Sequence, residues 1–216
     1  MASSQNSESV ERILETATQL FAAHGYHGVS TRQLAAAAEL NVATINYHVG
    51  GKAELYRAVF RRAFMREQNI IADAIARVDE EVLADAMALR DALAQLVDDL
   101  VTMTLDHPEI PRLWMWRWLE SPQGFSDIEA EVSLPLFEAA RSLIEKAQDA
   151  GTIRSSGPRL RLFLVSFTWM LYGYSARGPI DWQTTRVDPT DPEQVAAFKE
   201  FLHDYLCRML ELPTND

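Results

Sequence analysis

The stretch Ser30–Lys52, STRQLAAAAELNVATINYHVGGK, constrains the chain more than any other, because its residues divide into two short helices and a tight turn. Ser30 and Gln33 stand at the S-x-x-Q spacing of a capping box, which predicts a helix starting at Thr31 with two otherwise orphaned amides satisfied. Leu34 and the run Ala35–Ala38 favour helix and leave it narrow enough for a neighbour to approach closely. Glu39, Leu40 and Asn41 interrupt the run. Asn41 is a good N-cap for a second helix over Val42–His48, which Gly50-Gly51 stops. Two helices of about two turns with a short turn between them are the layout of a helix-turn-helix, whose second helix enters the DNA major groove.

The polar residues suit that layout. Arg32, Thr44 and Asn46 lie near the helix starts or on the second helix, while Leu34, Leu40 and Ile45 are free to face inward. Arg is the natural bidentate partner of guanine and Asn that of adenine, so these three are the candidates for base contacts. Thr31, Tyr47, His48 and Lys52 offer a hydroxyl, a phenol, an imidazole and an ammonium, groups that suit phosphate oxygens. The chain here resembles the TetR/AcrR family of transcriptional regulators. The resemblance rests on Thr31-Arg32-Gln33-Leu34-Ala35 and Thr44-Ile45-Asn46-Tyr47-His48-Val49, closing with Lys52 and Leu55. The family's usual turn glycine is Glu39 in this chain, its cap serine is Asn41, and the first aromatic of the second helix is Asn46. The resemblance implies a DNA-facing set that adds Gln33, Val42 and Ala43 to the residues above.

The formal charge of −11 argues against nucleic acid only until its distribution is seen. Residues 1–66 carry seven Lys/Arg against five Asp/Glu, and the remainder carries 13 against 26. A mildly basic head on an acidic body can still be drawn to DNA. The lone Cys207 excludes an intramolecular disulfide framework, fits a reducing compartment and reads as a buried structural thiol. MASSQNSES carries no hydrophobic region of a secretory signal, and no apolar run approaches the eighteen or so residues of a membrane span. A cytoplasmic protein is expected, with no membrane partner.

In order, the chain reads as helix after helix. Residues 1–9 are expected as a flexible tail and 10–56 as the DNA-binding domain. Val10, Ile13, Leu14, Ala17, Leu20 and Phe21 form its first apolar stripe. A long helix over about 52–77 would connect this head to a body spanning 78–216. On that connector, Arg57, Arg61, Arg62 and Arg66 form either a DNA-facing patch or a solvated face paired with nearby acids. Body helices are expected over Met87–Asp106, Pro111–Leu119, from a Ser126/Glu129 capping box to Gly151, over Pro158–Arg177, and from the Asp191-Pro192 start. No useful β-alternation occurs, so the fold class is all-α.

The resemblance further implies a body that binds a small ligand and dimerises through its last two long helices. Phe163, Phe167, Leu171 and Tyr174 on the first, with Phe198, Leu202, Tyr205 and Leu206 on the second, are the candidate interface, and a thicker monomeric core is the competing reading. Trp114, Trp116 and Trp118 cannot all face one way on one helix. With Phe137, Trp169 and Met170 they are candidates for an aromatic-lined pocket, against ordinary core packing. No Walker loop, G-x-G-x-x-G, G-x-S-x-G or HExxH occurs, and His24-x-x-His27 lacks companions for a metal. No cofactor is expected beyond an unidentified small-molecule effector. The sequence therefore reads as a non-enzymatic, ligand-responsive transcriptional regulator, a homodimeric repressor on a palindromic operator. An all-α binding protein whose head no longer reads DNA is the alternative, and catalysis a distant third.

Overall fold

The computed structural model describes residues 2–120, 124–155 and 158–214. The chain is all-α: α1 (Ala2–His24), α2 (Thr31–Ala37), α3 (Val42–Val49), α4 (Lys52–Ala76), α5 (Glu80–Ala84), α6 (Ala86–Asp106), α7 (Glu109–Glu120), α8 (Ser126–Ile128), α9 (Leu134–Asp149), α10 (Pro158–Arg177) and α11 (Pro192–Leu210). One π-turn, Glu129–Ser133, links α8 to α9. Among the described residues there is no strand, only an isolated antiparallel bridge between Ile180 and Arg186. No described helix is long and apolar enough to cross a membrane.

Several boundaries follow the caps. Ser30 opens α2 with both bonds of its capping box, Asn41 opens α3, and Asp191 opens α11 by accepting from the Glu193 and Gln194 amides. Three places differ from the sequence reading. The first helix begins at Ala2 rather than near Val10, so the expected tail is helical. Once a helix is nucleated, each added residue gains a backbone bond, so a polar stretch can extend it. The short α5, capped by Asp79, has too few apolar residues to announce itself. Ser126 does not cap: Phe125 holds the N-cap position without a side-chain bond, and Glu129 pairs with Arg117 at 2.8 Å. Pro135, which has no amide to donate, follows the π-turn, where the α ladder is already broken.

The described residues form two compact units. One takes residues up to Met65 together with Glu109–Val132, and the other takes Arg66–Pro108 together with the residues from Ser133 onward. The first unit is thus larger than residues 10–56, because α7 packs along α1. Its core is built from Ile13, Ala17 and Phe21 of α1, Leu34 of α2, Ile45 of α3, Leu55, Tyr56, Val59 and Phe60 of α4, and Leu113 and Trp114 of α7. Helix α4 passes from one unit to the other at Met65/Arg66.

In the second unit α6, α10 and α11 pack on one another around Leu89, Val97, Val101, Leu171, Leu202 and Leu210. Cys207 is buried there, and burial pushes its thiol pKa up. Asp98 is held by His203 at 3.0 Å and Lys199 at 3.7 Å, while Asp99 bonds to Gln95 and Arg77, so this acidic pair is neutralised locally. Two polar pairs cross the interior: Thr104 with Ser175 at 2.8 Å, and the Tyr172 hydroxyl donating to Glu67 at 2.6 Å.

Burial pushes the Glu67 carboxyl up to about 7, against the lowering pull of the Tyr172 hydroxyl. Its pKa is raised above the ordinary value of 4.5, so the stability carried by its proton is complete below about pH 4.5 and lost as pH rises through about 7. Glu67→Gln keeps an acceptor for Tyr172 and removes the buried charge. Urea midpoints should show it more stable than the parent by about 1–3 kcal/mol near pH 8 and nearly level with it near pH 5. An unchanged pH slope in the variant would assign that slope to other groups.

Candidate nucleic-acid interface

The two short helices are held by local bonds and by what they bury. Gln33 N donates to Ser30 Oγ at 3.2 Å, and Ser30 N donates to Gln33 Oε1 at 2.8 Å. Asn41 Oδ1 accepts from the Thr44 amide at 2.8 Å and from the Thr44 hydroxyl at 3.0 Å. Thr44 is therefore part of the cap as well as a candidate DNA contact. Leu34, Ala35, Ala38 and Ile45 are buried, and Leu40 is half-buried. The turn between the helices places Glu39 at φ 55°, where a glycine would sit without strain.

The opposite faces stand in solvent. Arg32, Gln33, Ala43 and Asn46 are exposed, and Tyr47 is 85% exposed with its ring edge-on to His48 at 5.2 Å. Thr31, Val42, Thr44 and His48 are half-buried. A large aromatic left almost wholly in water on a short helix is unusual for packing and ordinary for contact with a partner. Lys52 is less free than the sequence suggests: its ammonium lies 4.0 Å from the centroid of the Tyr26 ring, and burial lowers its pKa while nearby Glu120 raises it.

Each arginine of the basic run on α4 has a side-chain partner. Arg57 donates to Asp127 at 2.6 Å and to Glu54 at 2.9 Å, and Arg61 donates to Glu131 at 2.5 Å. Arg62 pairs with Glu11, and Arg66 bonds to the His107 ring. The paired reading therefore describes these arginines. Hydrogen bonding from Arg57 holds the Asp127 carboxyl below its usual range.

Helix α7 meets the residues that follow α1 through Glu120. Its carboxylate accepts the Tyr26 amide at 2.7 Å and the His27 amide at 3.3 Å. Gly25, at φ 70°, lets it approach, since a Cβ there would lie 2.4 Å from Glu120 Oε1. Only the pairing of a glycine-rich helix end with a distant acid could have signalled this contact, and sequence offers no way to pair them. His24 and His27 are exposed, and no metal-binding cluster occurs among the described residues.

The six pocket candidates divide between the two units. Trp114 is buried edge-on against Phe60 and Phe64, at 5.0 and 5.8 Å, so it is head core rather than pocket lining. Trp116 is half-buried and Trp118 borders solvent, both in the same unit. Phe137, Trp169 and Met170 belong to the other unit, where Trp169 is exposed and Phe137 and Met170 are half-buried.

The interface candidates also divide. Phe163, Leu171, Leu202 and Leu206 are buried inside their own chain, leaving little area to give a partner. Phe167, Tyr174, Phe198 and Tyr205 are half-buried; Tyr174 and Phe198 stack at 3.8 Å, and Tyr205 bonds to Ser166. The exposed apolar residues on these helices are Leu162, Trp169 and Phe201. The seven-residue spacing of Leu162 and Trp169 was a legible sign of a second apolar face.

Residues 13–59 match the sequence model of bacterial regulatory proteins of the tetR family. The head is a TetR-family helix-turn-helix domain. The probable HTH-type transcriptional regulator YttP of Bacillus subtilis (strain 168) is 26% identical over 102 residues, 47% of this chain and 46% of that protein. The match therefore spans about half the length of that relative. A crystal structure of a tetR-family regulatory protein from Rhodococcus RHA1 superposes with a TM-score of 0.68 at 21% identity, covering 95% of this chain and 98% of that one. A protein of Saccharomonospora viridis, solved in complex with choline, superposes with a TM-score of 0.63 at 22% identity, covering 93% and 96%. At these identities the likeness is one of fold, and it covers nearly the whole chain.

Glu120→Ala would leave two amides of the TetR-type head without their acceptor. The variant should lose about 1–3 kcal/mol of stability in urea unfolding. A midpoint equal to that of the parent would mean that water replaces the carboxylate at no cost.

Proposed function

We propose that the protein is a ligand-responsive repressor that binds a palindromic DNA operator as a homodimer in the cytoplasm. The observation that carries this reading is α3: only Ile45 is buried, while Ala43, Asn46 and Tyr47 stand in solvent beside exposed Arg32 at the start of α2. A helix anchored at Ile45 and presenting Ala43, Asn46 and Tyr47 to solvent is shaped for a groove. In the reading, Arg32, Thr44 and Asn46 meet base edges, and Thr31, Tyr47, His48 and Lys52 meet phosphates. Gln33, Val42 and Ala43 complete the contact surface.

Dimerisation follows from the small size of one head, which makes too few contacts for specific affinity. Leu162 and Trp169 of α10 and Phe201 of α11 are the exposed apolar residues available for it. Two heads would then lie in successive major grooves about 34–36 Å apart. The choline complex of the S. viridis protein supports a small organic effector in this reading. Such a ligand changes DNA binding only if it favours one spacing of the heads over another.

Selection of sites from random DNA tests the reading. The wild-type chain should return an inverted repeat, and Arg32→Ala should cost about 1–3 kcal/mol on it and relax one position of each half. Lys52→Ala should weaken selected and random DNA alike and lower the salt slope by about one. Selection of no common sequence would leave the head without base readout.

A further inference from the structure

The connection between α10 and α11 spans 178–191 and is closely braced. Val187 N donates to Pro179 O at 3.0 Å, Asp181 N donates to Thr185 O at 2.9 Å, and Asp181 Oδ1 accepts from the amides of Gln183 at 2.9 Å and Thr185 at 2.7 Å. Arg186 Nη1 donates to Gly178 O at 2.9 Å and to Arg177 O at 3.2 Å, tying the finger to the end of α10. At Gly178 the return strand passes so near that a Cβ would lie 2.1 Å from Val187 O. This ordered turn carries two large apolar side chains, and both are in solvent: Ile180 at 60% exposure and Trp182 at 104%. Trp182 thus packs against nothing in its own chain.

Beside the finger, α10 and α11 enclose a shallow apolar depression of about 440 Å³, lined by Met170, Tyr174, Pro179, Ala197, Phe198 and Phe201. Its lining includes the stacked Tyr174–Phe198 pair. The chain's own indole does not occupy it. The depression adjoins the exposed apolar residues on which the dimer reading rests, since Phe201 belongs to both.

We infer that the 178–191 finger is a dimer clasp, in which Trp182 of each protomer seats in the Tyr174–Phe198 depression of a second copy of this chain. The inference rests on the homodimer proposed above. A knob beside an unfilled hole on one chain gives a self-complementary face, on which two copies related by a two-fold axis each fill the other's hole. An indole and a stacked phenol–phenyl pair suit one another by shape and by ring quadrupole. Each seated Trp buries about 150–250 Å², so the two reciprocal contacts supply roughly a quarter of the ~1,600 Å² of a standard interface. The remainder falls to the exposed apolar side chains of Leu162, Trp169 and Phe201. The finger's internal bonds hold the backbone that carries the knob before association, which lowers the entropic cost of docking.

The test places a benzophenone amino acid at position 182 of the full chain and irradiates it at micromolar concentration, alongside sedimentation of the wild type and of Trp182→Ala. The expected result is a covalent dimer whose adducts map between Met170 and Phe201 of the other copy. The dissociation constant of the Trp182→Ala dimer should be about tenfold or more higher than the wild type's. Its urea midpoint, extrapolated to the monomer, should be unchanged, because Trp182 touches nothing within the chain. A wild-type dimer that yields no covalent dimer, or that Trp182→Ala leaves equally tight, overturns the clasp and leaves the dimer standing. Adducts only to a different protein or to lipid also overturn it. A wild type that sediments as a monomer overturns the clasp together with the dimer reading.

Discussion

The DNA-facing surface depends on a chain of aromatic rings behind it. Phe21 of α1 meets Tyr56 of α4 edge-on at 5.0 Å, and Tyr56 meets Tyr26, Phe125 and Phe60 at 5.0, 5.1 and 4.9 Å. Phe60 then meets Trp114 of α7. Edge-on pairs of this kind add about 0.5–1.5 kcal/mol each beyond the area they bury. Together they join α1, the first half of α4, α7 and the α8 start into one body, and α2 and α3 are mounted on it through Leu34 and Ile45. The short helices bury too little to be stable alone. Their exposed polar face can be given over to recognition because the rings carry the packing.

The same arrangement assigns the charges. Acids that follow α7 in the chain occupy the basic side chains of α4: Asp127 takes Arg57 and Glu131 takes Arg61. Glu120 takes the amides that follow α1. These contacts are mostly at the surface and contribute little individually. They do define which cations remain for DNA, and that leaves the narrow set around Arg32 and Lys52. A chain with formal charge −11 can thus carry a DNA-binding head, because the charge that matters is that of the small contact surface.

Legibility in the sequence tracked how local the determining contact was. The capping box at Ser30/Gln33, the Asn41 cap and the Asp191-Pro192 start each depend on residues within three positions, and each forms as read. The family resemblance rode on the same short stretch. Ser126/Glu129 had the right spacing and failed, because Arg117 competes for Glu129 from another helix. Trp114 read equally well as pocket or core, and its partners Phe60 and Phe64 lie some fifty residues away. On α10 and α11 the apolar excess was legible but its division was not: Leu171, Leu202 and Leu206 turn inward, while Leu162, Trp169 and Phe201 turn outward. The exposure of Trp182 depends on the bonds of its turn, which no periodicity records.

The central claim is that α3, carried on this aromatic scaffold, reads a two-fold DNA site. Nuclease footprinting on the DNA upstream of the protein's own gene tests it most directly. The account predicts one protected stretch holding two inverted half-sites whose centres lie about 34–36 Å apart on one face of the duplex. Uniform protection that rises with protein concentration and follows no sequence, or protection of a single half-site by one chain, would contradict it.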